Sequence, residues 1–239
     1  MSFDRDLALL DRNYSAGTLV KALARKVRRR FMGLPNEIEP AYRFGYTIFD
    51  RPDLDGGGSG FGQDYIRVLR ELGMNHCGRL YEWCSGPGYI GYSLLAHGFC
   101  DHLTLADINP VAVAAARQTA AFNGIESAVS IYLSKGLDEI PATEKWDLVV
   151  SNPPHFLEWK GPSNLRSEDA GWEIHKSFYS QVKRFMNPGG HTLIQENAQG
   201  SKDEDFIPMI RAAGGEYLKT LPGPDIGAGG RMYYMLARW

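Results

Sequence analysis

Residues Trp146-Asp-Leu-Val-Val-Ser-Asn-Pro-Pro-His-Phe156 carry an apolar run straight into a turn stiffened by two prolines. Trp146 to Val150 read as a buried strand, the kind that lies in a parallel sheet covered on both faces. Proline fixes φ and has no N–H to donate, and it holds the residue before it extended. Asn152 and Pro153 are therefore both stiffened at the mouth of the strand. The Asn152 side-chain oxygen and the Pro153 carbonyl can then converge on one spot, with His155 and Phe156 beside it. Two acceptors and a flat wall suit a planar N–H2 group that loses conjugation as it is alkylated. Without chemistry, the same residues are simply a rigid strand-end turn.

Around this stretch, strands and helices alternate from Arg79 onward. The strands read Arg79–Cys84, His102–Ala106, Val129–Leu133, Trp146–Val150, His191–Gln195, Glu216–Leu221 and Met232–Arg238. The helices read Tyr89–Ala96, Pro110–Phe122, Trp172–Arg184 and Asp203–Ala213. That rhythm means a parallel sheet with helices on both faces. Asn109-Pro110 starts one helix, Asn as N-cap and Pro at the first helical position, and Asn123-Gly124 ends it. Met186-Asn-Pro-Gly-Gly190 reads as a helix stop and turn. The last two strands are joined by a Pro/Gly-rich connection too short for a crossover helix, so they should pair antiparallel.

Upstream, residues 1 to about 52 look helical and irregular. Asp6–Leu10 and Thr18–Met32 carry helical spacing, and the second has a basic face from Lys21 to Arg30. That face either is solvated or binds phosphates. Residues 56–62 hold five glycines in seven positions, just before a helix at Asp64–Leu72. Such a stretch reads as a loop, and it is either a lid or a linker. Phe61, Gln63 and Tyr65 nearby favour ligand contact.

The first strand runs into Glu82-Trp-Cys-Ser-Gly-Pro-Gly-Tyr-Ile-Gly91. Gly86 and Gly88 let the backbone turn tightly, and the helix N-terminus after them favours a carboxylate. Asp107 ends the second strand, 25 residues after Glu82, near the spacing at which an acid meets ribose hydroxyls. Ile108 would pack on an adenine face, and Ser134 follows the third strand. Glu196-Asn197 lie at the carboxyl end of the fifth strand and could line an acceptor pocket. His175, near Gly171-Trp172, reads as a packed core histidine.

Together these motifs resemble class I S-adenosylmethionine (SAM) N-methyltransferases. Asn152-Pro-Pro-His155 is similar to their N-P-P-[YFWH] signature, and Glu82 to Gly91 to acid-x-Gly-x-Gly-x-Gly, with Cys84 where the first glycine is usual. Glutamine N5-methyltransferases that resemble this chain also tolerate that cysteine. The resemblance spans about residues 61–239. It implies an α/β, Rossmann-like, doubly wound seven-stranded sheet with the last strand antiparallel; residues 1–60 match nothing in the family and read as an N-terminal helical extension and Gly-rich lid. It implies SAM as cofactor, held by Glu82, Gly86, Gly88, Asp107, Ile108 and Asn152. Asn152, Pro153 and His155 would act on the acceptor, with no metal. The reaction implied is methylation of an amide or amine of a small-molecule or peptide acceptor. Three alternatives stand beside it: a cyclase of the azetidine-2-carboxylate synthase kind releasing methylthioadenosine, an N6-adenine RNA or DNA methyltransferase, and a non-catalytic SAM-binding domain.

Composition bounds the rest. At 239 residues, with 44% hydrophobic and 23% charged residues, the chain is an ordinary globular sequence of one large domain. A formal net charge of −2 gives no argument for nucleic acid or an anionic membrane. Cys77, Cys84 and Cys100 have no metal or redox spacing and fit buried thiols in a reducing compartment. No signal peptide and no apolar run of membrane-spanning length is seen, so a cytoplasmic protein without membrane contact is the expectation.

Overall fold

A computed structural model of the chain describes residues 38–43, 45–51, 54, 58–158, 167–226 and 230–239. The expected helices at Asp6–Leu10 and Thr18–Met32, with the basic face, lie outside them. Where helical or irregular chain was expected, residues 39–50 instead form an antiparallel hairpin, β1 (Glu39–Arg43) and β2 (Tyr46–Asp50). A five-residue hairpin is marginal alone. This one is stitched to a later helix: Phe49 N–H donates to Thr119 Oγ1 at 2.8 Å, and Asn123 Nδ2 donates to Thr47 O at 2.8 Å. Ile48 and Phe49 are buried by the same docking.

Helix α1 (Gly58–Glu71) begins inside the Gly-rich stretch, so Gly58 to Gly62 are helical and not the loop expected. Tyr65, Ile66, Val68 and Leu69 are buried along one face. Tertiary burial of that face offsets the poor helix propensity of glycine.

The remaining elements follow the expected alternation. They are β3 (Cys77–Trp83), α2 (Tyr89–Ala96), β4 (Cys100–Asp107), α3 (Pro110–Asn123), β5 (Val129–Leu133), β6 (Trp146–Ser151), α4 (Glu173–Val182), β7 (Met186–Asn197), α5 (Asp203–Ala212), β8 (Glu216–Ile226) and β9 (Gly230–Arg238). Seven strands form one sheet in the order β5-β4-β3-β6-β7-β9-β8. The first five pair parallel, and β9 runs antiparallel to both β7 and β8. This is the expected doubly wound sheet with its last strand reversed.

One difference concerns β7, which begins at Met186, so Asn187-Pro-Gly-Gly190 is strand and not turn. The chain's last residue supplies the partner: Gly189 N–H donates to Trp239 O at 3.0 Å, and Trp239 N–H to Gly190 O at 2.9 Å.

Side chains alternate along each strand, so the sheet has two apolar faces. Leu80, Leu103, Leu105, Val150 and Leu193 pack with α1 and α2 residues such as Tyr65 and Tyr92. Tyr81, Trp83, Val149 and Ile194 pack with α4 and α5 residues such as Phe178 and Phe206. The second face is aromatic: Trp83 stacks on Phe178 at 3.9 Å and Tyr81 on Trp146 at 4.1 Å. No helix among the described residues is long and apolar enough to cross a membrane.

Candidate active site

The parallel strands β3, β4, β5 and β6 all end on one edge, where ligands sit in sheets of this kind. A cavity of about 810 Å³ opens there, and residues following each of those strands line it.

The turn after β3 forms part of its wall. Gly86 and Gly88 take left-handed φ values of 52° and 89°, and so does Cys84, at 52°. Cys84 stands where the resemblance places a glycine, and it adopts the conformation a glycine would take at less cost. Gly88 also has no room for a side chain: a Cβ there would meet Leu105 Cδ1 and the Tyr92 ring at 2.8 Å.

Glu82 is buried, and its carboxyl accepts from Gly91 N–H at 2.7 Å and Ile90 N–H at 3.3 Å. The N-terminus of α2, expected to receive a ligand carboxylate, is thus capped by the chain's own acid. Burial pushes the Glu82 pKa up to about 8, the two N–H groups oppose the rise, and Asp107 adds to it.

Asp107 ties two loops together. It accepts from Gly86 N–H at 2.7 Å and from Asn109 N–H at 2.8 Å, one bond to each oxygen. A carboxylate oxygen has further acceptor capacity, so these bonds orient the group without exhausting it. Burial raises its pKa and the backbone donors pull it back. Next to it Ile108, 60% exposed, is an apolar side chain on the cavity wall. Ser134 also lines the cavity, but its hydroxyl serves its own loop, bonded to Glu139 Oε2 at 2.9 Å.

The Asn-Pro-Pro-His stretch divides. Asn152 and Pro154 line the cavity, whereas Pro153 and His155 are buried and are not among its lining residues. Asn152 Oδ1 is buried and has no hydrogen-bond partner among the described residues. The flat wall expected of His155 is not in the cavity: the ring lies 5.1 Å from that of Phe156, tilted. Burial lowers the His155 pKa to about 4, the charge on His175 adds to this, and the Pro153 carbonyl opposes it. The ring is therefore neutral at physiological pH.

Other expectations also shift. Glu196 does not line the cavity; it is fully buried and bonded to His175 Nε2 at 2.9 Å. Tyr65, grouped with residues facing a ligand, is buried and donates to the carbonyls of Ser151 and Leu193. The side chains of Phe61 and Gln63 lie outside the described residues. Sequence reasoning missed Leu54 and, on or beside α4, Glu173, Ile174 and Ser177, all of which line the cavity. Nothing in their spacing sets them apart from ordinary helix or loop residues.

The electrostatics favour a cation. Asp107, Asp138 and Glu173 line the cavity against Lys135, while Glu82, its pKa pushed up to about 8, adds no charge at neutrality. Burial raises the Cys84 thiol pKa, and Asp107, Asp169, Glu196 and Glu82 raise it further. SAM carries a sulfonium and an ammonium, and the acidic wall, the left-handed Gly86 on the cavity wall and the unpartnered Asn152 oxygen all fit such a molecule.

Comparison with known proteins bears this out. The sequence profile of the methyltransferase small domain matches residues 66–204. The release factor glutamine methyltransferase of Cereibacter sphaeroides is 26% identical over 59% of this chain and 54% of its own length. The ribosomal RNA small subunit methyltransferase C of Salmonella choleraesuis is 31% identical over 63% of this chain and 38% of its own. The chain thus spans about half the length of the first of these relatives and less of the second. Among solved structures, the Thermus thermophilus 16S rRNA N2 G1207 methyltransferase, in complex with AdoMet and guanosine, superposes with a TM-score of 0.58. It is 14% identical, covering 86% of this chain and 51% of that one. N-methyltransferase NodS from Bradyrhizobium japonicum gives 0.53 at 16% identity, covering 75% of this chain and 96% of that one. These structural likenesses speak to the fold. With the profile spanning more than half of its residues, the chain belongs to the methyltransferase small domain family of class I SAM-dependent methyltransferases.

Proposed function

We propose that the chain is a SAM-dependent methyltransferase acting on an amide or amine nitrogen of a small-molecule or peptide acceptor by direct in-line transfer. The observation that carries this is Asn152 Oδ1, buried and unpartnered at a cavity with an acidic wall. A buried acceptor left without a donor is costly, and an N–H of the acceptor would satisfy it. SAM, when bound, supplies a methyl group already activated by its sulfonium.

The chain's own residues bind and orient. Gly86, Gly88, Asp107 and Ile108 would hold the cofactor, with Glu82 keeping the glycine turn and α2 in register. Asn152 would take an N–H group of the nucleophile and stabilise positive charge as it grows on nitrogen, while the Pro153 carbonyl, expected as a second acceptor, lies off the cavity and serves His155. No strong base is needed, and neutral His155 supports the turn. The acidic wall opposes a phosphate backbone, which favours the small or peptide acceptor over nucleic acid. The relatives named above include enzymes named for a release factor and for ribosomal RNA, so both classes belong in the test.

The test is incubation with SAM alone, with a glutaminyl peptide, and with nucleosides or RNA, followed by mass analysis of adenosyl products and acceptors. S-adenosylhomocysteine formed only with the amide or amine supports the proposal. Methylthioadenosine from SAM alone would replace it with cyclisation, and methylated RNA with a nucleic-acid acceptor.

A further inference from the structure

A charged cluster lies one side chain away from the cavity. Trp83 lines the cavity, and its ring meets that of His175 edge-on at 5.3 Å. His175 is fully buried. Its Nδ1 lies 2.6 Å from Asp169 Oδ2 and its Nε2 lies 2.9 Å from Glu196 Oε1. Ionised carboxylates only accept, so with both acids ionised the ring carries a proton on both nitrogens, and that charge opposes the rise burial gives the Glu196 pKa.

Asp169 also fixes the turn beyond Asn152. It accepts from Ile174 N–H at 2.8 Å and His175 N–H at 3.1 Å. Its own N–H donates to Phe156 O at 2.8 Å, while Phe156 N–H donates to Ser167 O at 2.9 Å. An unbroken chain of hydrogen bonds therefore runs from the end of the Asn-Pro-Pro-His turn, through Asp169 and His175, to Glu196 at the end of β7.

We propose that His175 is a positioning residue: its doubly protonated ring, bridging Asp169 and Glu196, pins the turn that carries Asn152 to the end of β7. The functional meaning of this strut rests on the reading of Asn152 given above. A neutral ring would turn a lone pair toward one carboxylate and break the bridge.

The surroundings make the device specific. Phe206 stacks on the ring at 4.3 Å, and Trp172 meets it edge-on at 5.6 Å. The titratable groups around it are Asp169, Glu196 and Tyr179, with His155, Cys84 and Tyr233 within reach of the same charges. Burial holds Tyr179, Tyr233 and Cys84 above their ordinary values and His155 below its own. Burial alone would lower His175, but Glu196 and Asp169 together carry it up to about 9.

The test uses the full chain with ¹⁵N-labelled histidine. The expected result is two ring N–H signals from His175 at pH 7, one of them lost as pH passes about 9, with backbone hydrogen exchange of residues 152–157 accelerating over the same range. A single ring proton at pH 7, or exchange in 152–157 that ignores the transition, would overturn the proposal. In His175→Gln, exchange in 152–157 should rise by about tenfold. SAM affinity should hold within about threefold, since the cofactor contacts are untouched. With an active acceptor, kcat should fall by about a hundredfold with KM for SAM unchanged, as expected when a reacting partner is misplaced. Glu196→Gln is the rescue: its amide can donate to a neutral ring that still donates to Asp169. Protection of 152–157 should then persist and lose its pH dependence, and loss of protection in this variant would count against the strut. Neither NMR nor exchange needs an acceptor, so the strut can fail while methyl transfer stands, and the reverse. The wild-type measurements stand even if His175→Gln does not fold.

Discussion

The hydroxyl of Tyr65 donates to the carbonyl of Ser151 at 2.6 Å, joining residues 86 apart in the chain. The same hydroxyl donates to Leu193 O at 3.0 Å. One buried phenol thus ties α1, the helix that grows out of the Gly-rich stretch, to the ends of β6 and β7. Its neighbour extends the tie: Tyr234 donates to Asp64 Oδ2 at 2.5 Å and accepts from Gln195 Nε2 at 2.8 Å. Tyr65→Phe leaves the ring packing intact and strips these bonds from the carbonyl ahead of Asn152. Stability should fall by about 1–2 kcal/mol, read as a lower urea midpoint with unchanged m-value.

Asn152→Ala removes a buried, unpartnered acceptor from a residue that lines the cavity. If Asn152 stabilises charge on the attacking nitrogen, the barrier should rise by about 3 kcal/mol, on the order of a hundredfold in kcat. The fold should survive, because the amide oxygen has no partner to lose among the described residues. Full turnover to S-adenosylhomocysteine in this variant would remove Asn152 from the chemistry.

Cys84→Gly asks whether the departure from glycine strains the turn. Cys84 sits at φ 52°, and left-handed geometry costs a non-glycine residue about 1–3 kcal/mol. Some of that gain is returned with the lost side-chain contacts, so a net rise of about 1 kcal/mol is expected by chemical denaturation. The reverse change at Gly88 should hurt. Gly88→Ala adds a Cβ 2.8 Å from Leu105 and Tyr92 and should cost about 1–3 kcal/mol.

Stability should decline as pH rises above neutrality, through two groups. His175 has its pKa carried from an ordinary 6.5 up to about 9. The folded state holds that proton more tightly, so the contribution is complete below about 6.5 and is lost as pH climbs through about 9. Glu82 has its pKa pushed from 4.5 up to about 8, so the folded state resists its ionisation and the penalty accumulates between those values. His155, lowered from 6.5 to about 4, works in the other direction and weakens the fold as pH drops through that interval. Urea midpoints between pH 5 and 9.5 should therefore be highest on the acid side of neutrality. Glu82→Gln should flatten the fall up to about pH 8 and His175→Gln the fall toward about pH 9. Unchanged slopes in both variants would refute the assignment.

The βαβ rhythm was legible because each strand is a short apolar run and each helix announces its ends; Asn109 caps α3 through Val111 N–H at 3.0 Å, as its sequence implies. The glycine turn after β3 was legible for the same local reason. The hairpin β1–β2 was not, since its support comes from Thr119 and Asn123, 70 and 76 residues beyond the residues they bond. Asn187 to Gly190 looked like a turn because proline and glycine usually mark one, yet Trp239 pairs with them as strand. His175 read as a core histidine because the carboxylates that charge it lie six and twenty-one residues away. Asn152 was found where it was expected, but the ring of His155 was not. Chain stiffness can be read from Pro-Pro, whereas the direction of the next side chain is decided by packing.

The position of β9 has a consequence for how the sheet is assembled. Within the sheet β8 pairs only with β9, which fills the place between β8 and β7. The outermost strand is therefore made before the strand that attaches it. β8 and β9 are adjacent in sequence and can zip together early as a hairpin. Until that hairpin docks, β7 presents an unpaired edge that includes Leu193 and Ile194, the kind of edge that recruits strands from other chains. The sheet is thus most open to aggregation before β9 docks, and Tyr234 to Ala237, paired with Gln195 to Thr192, end that exposure.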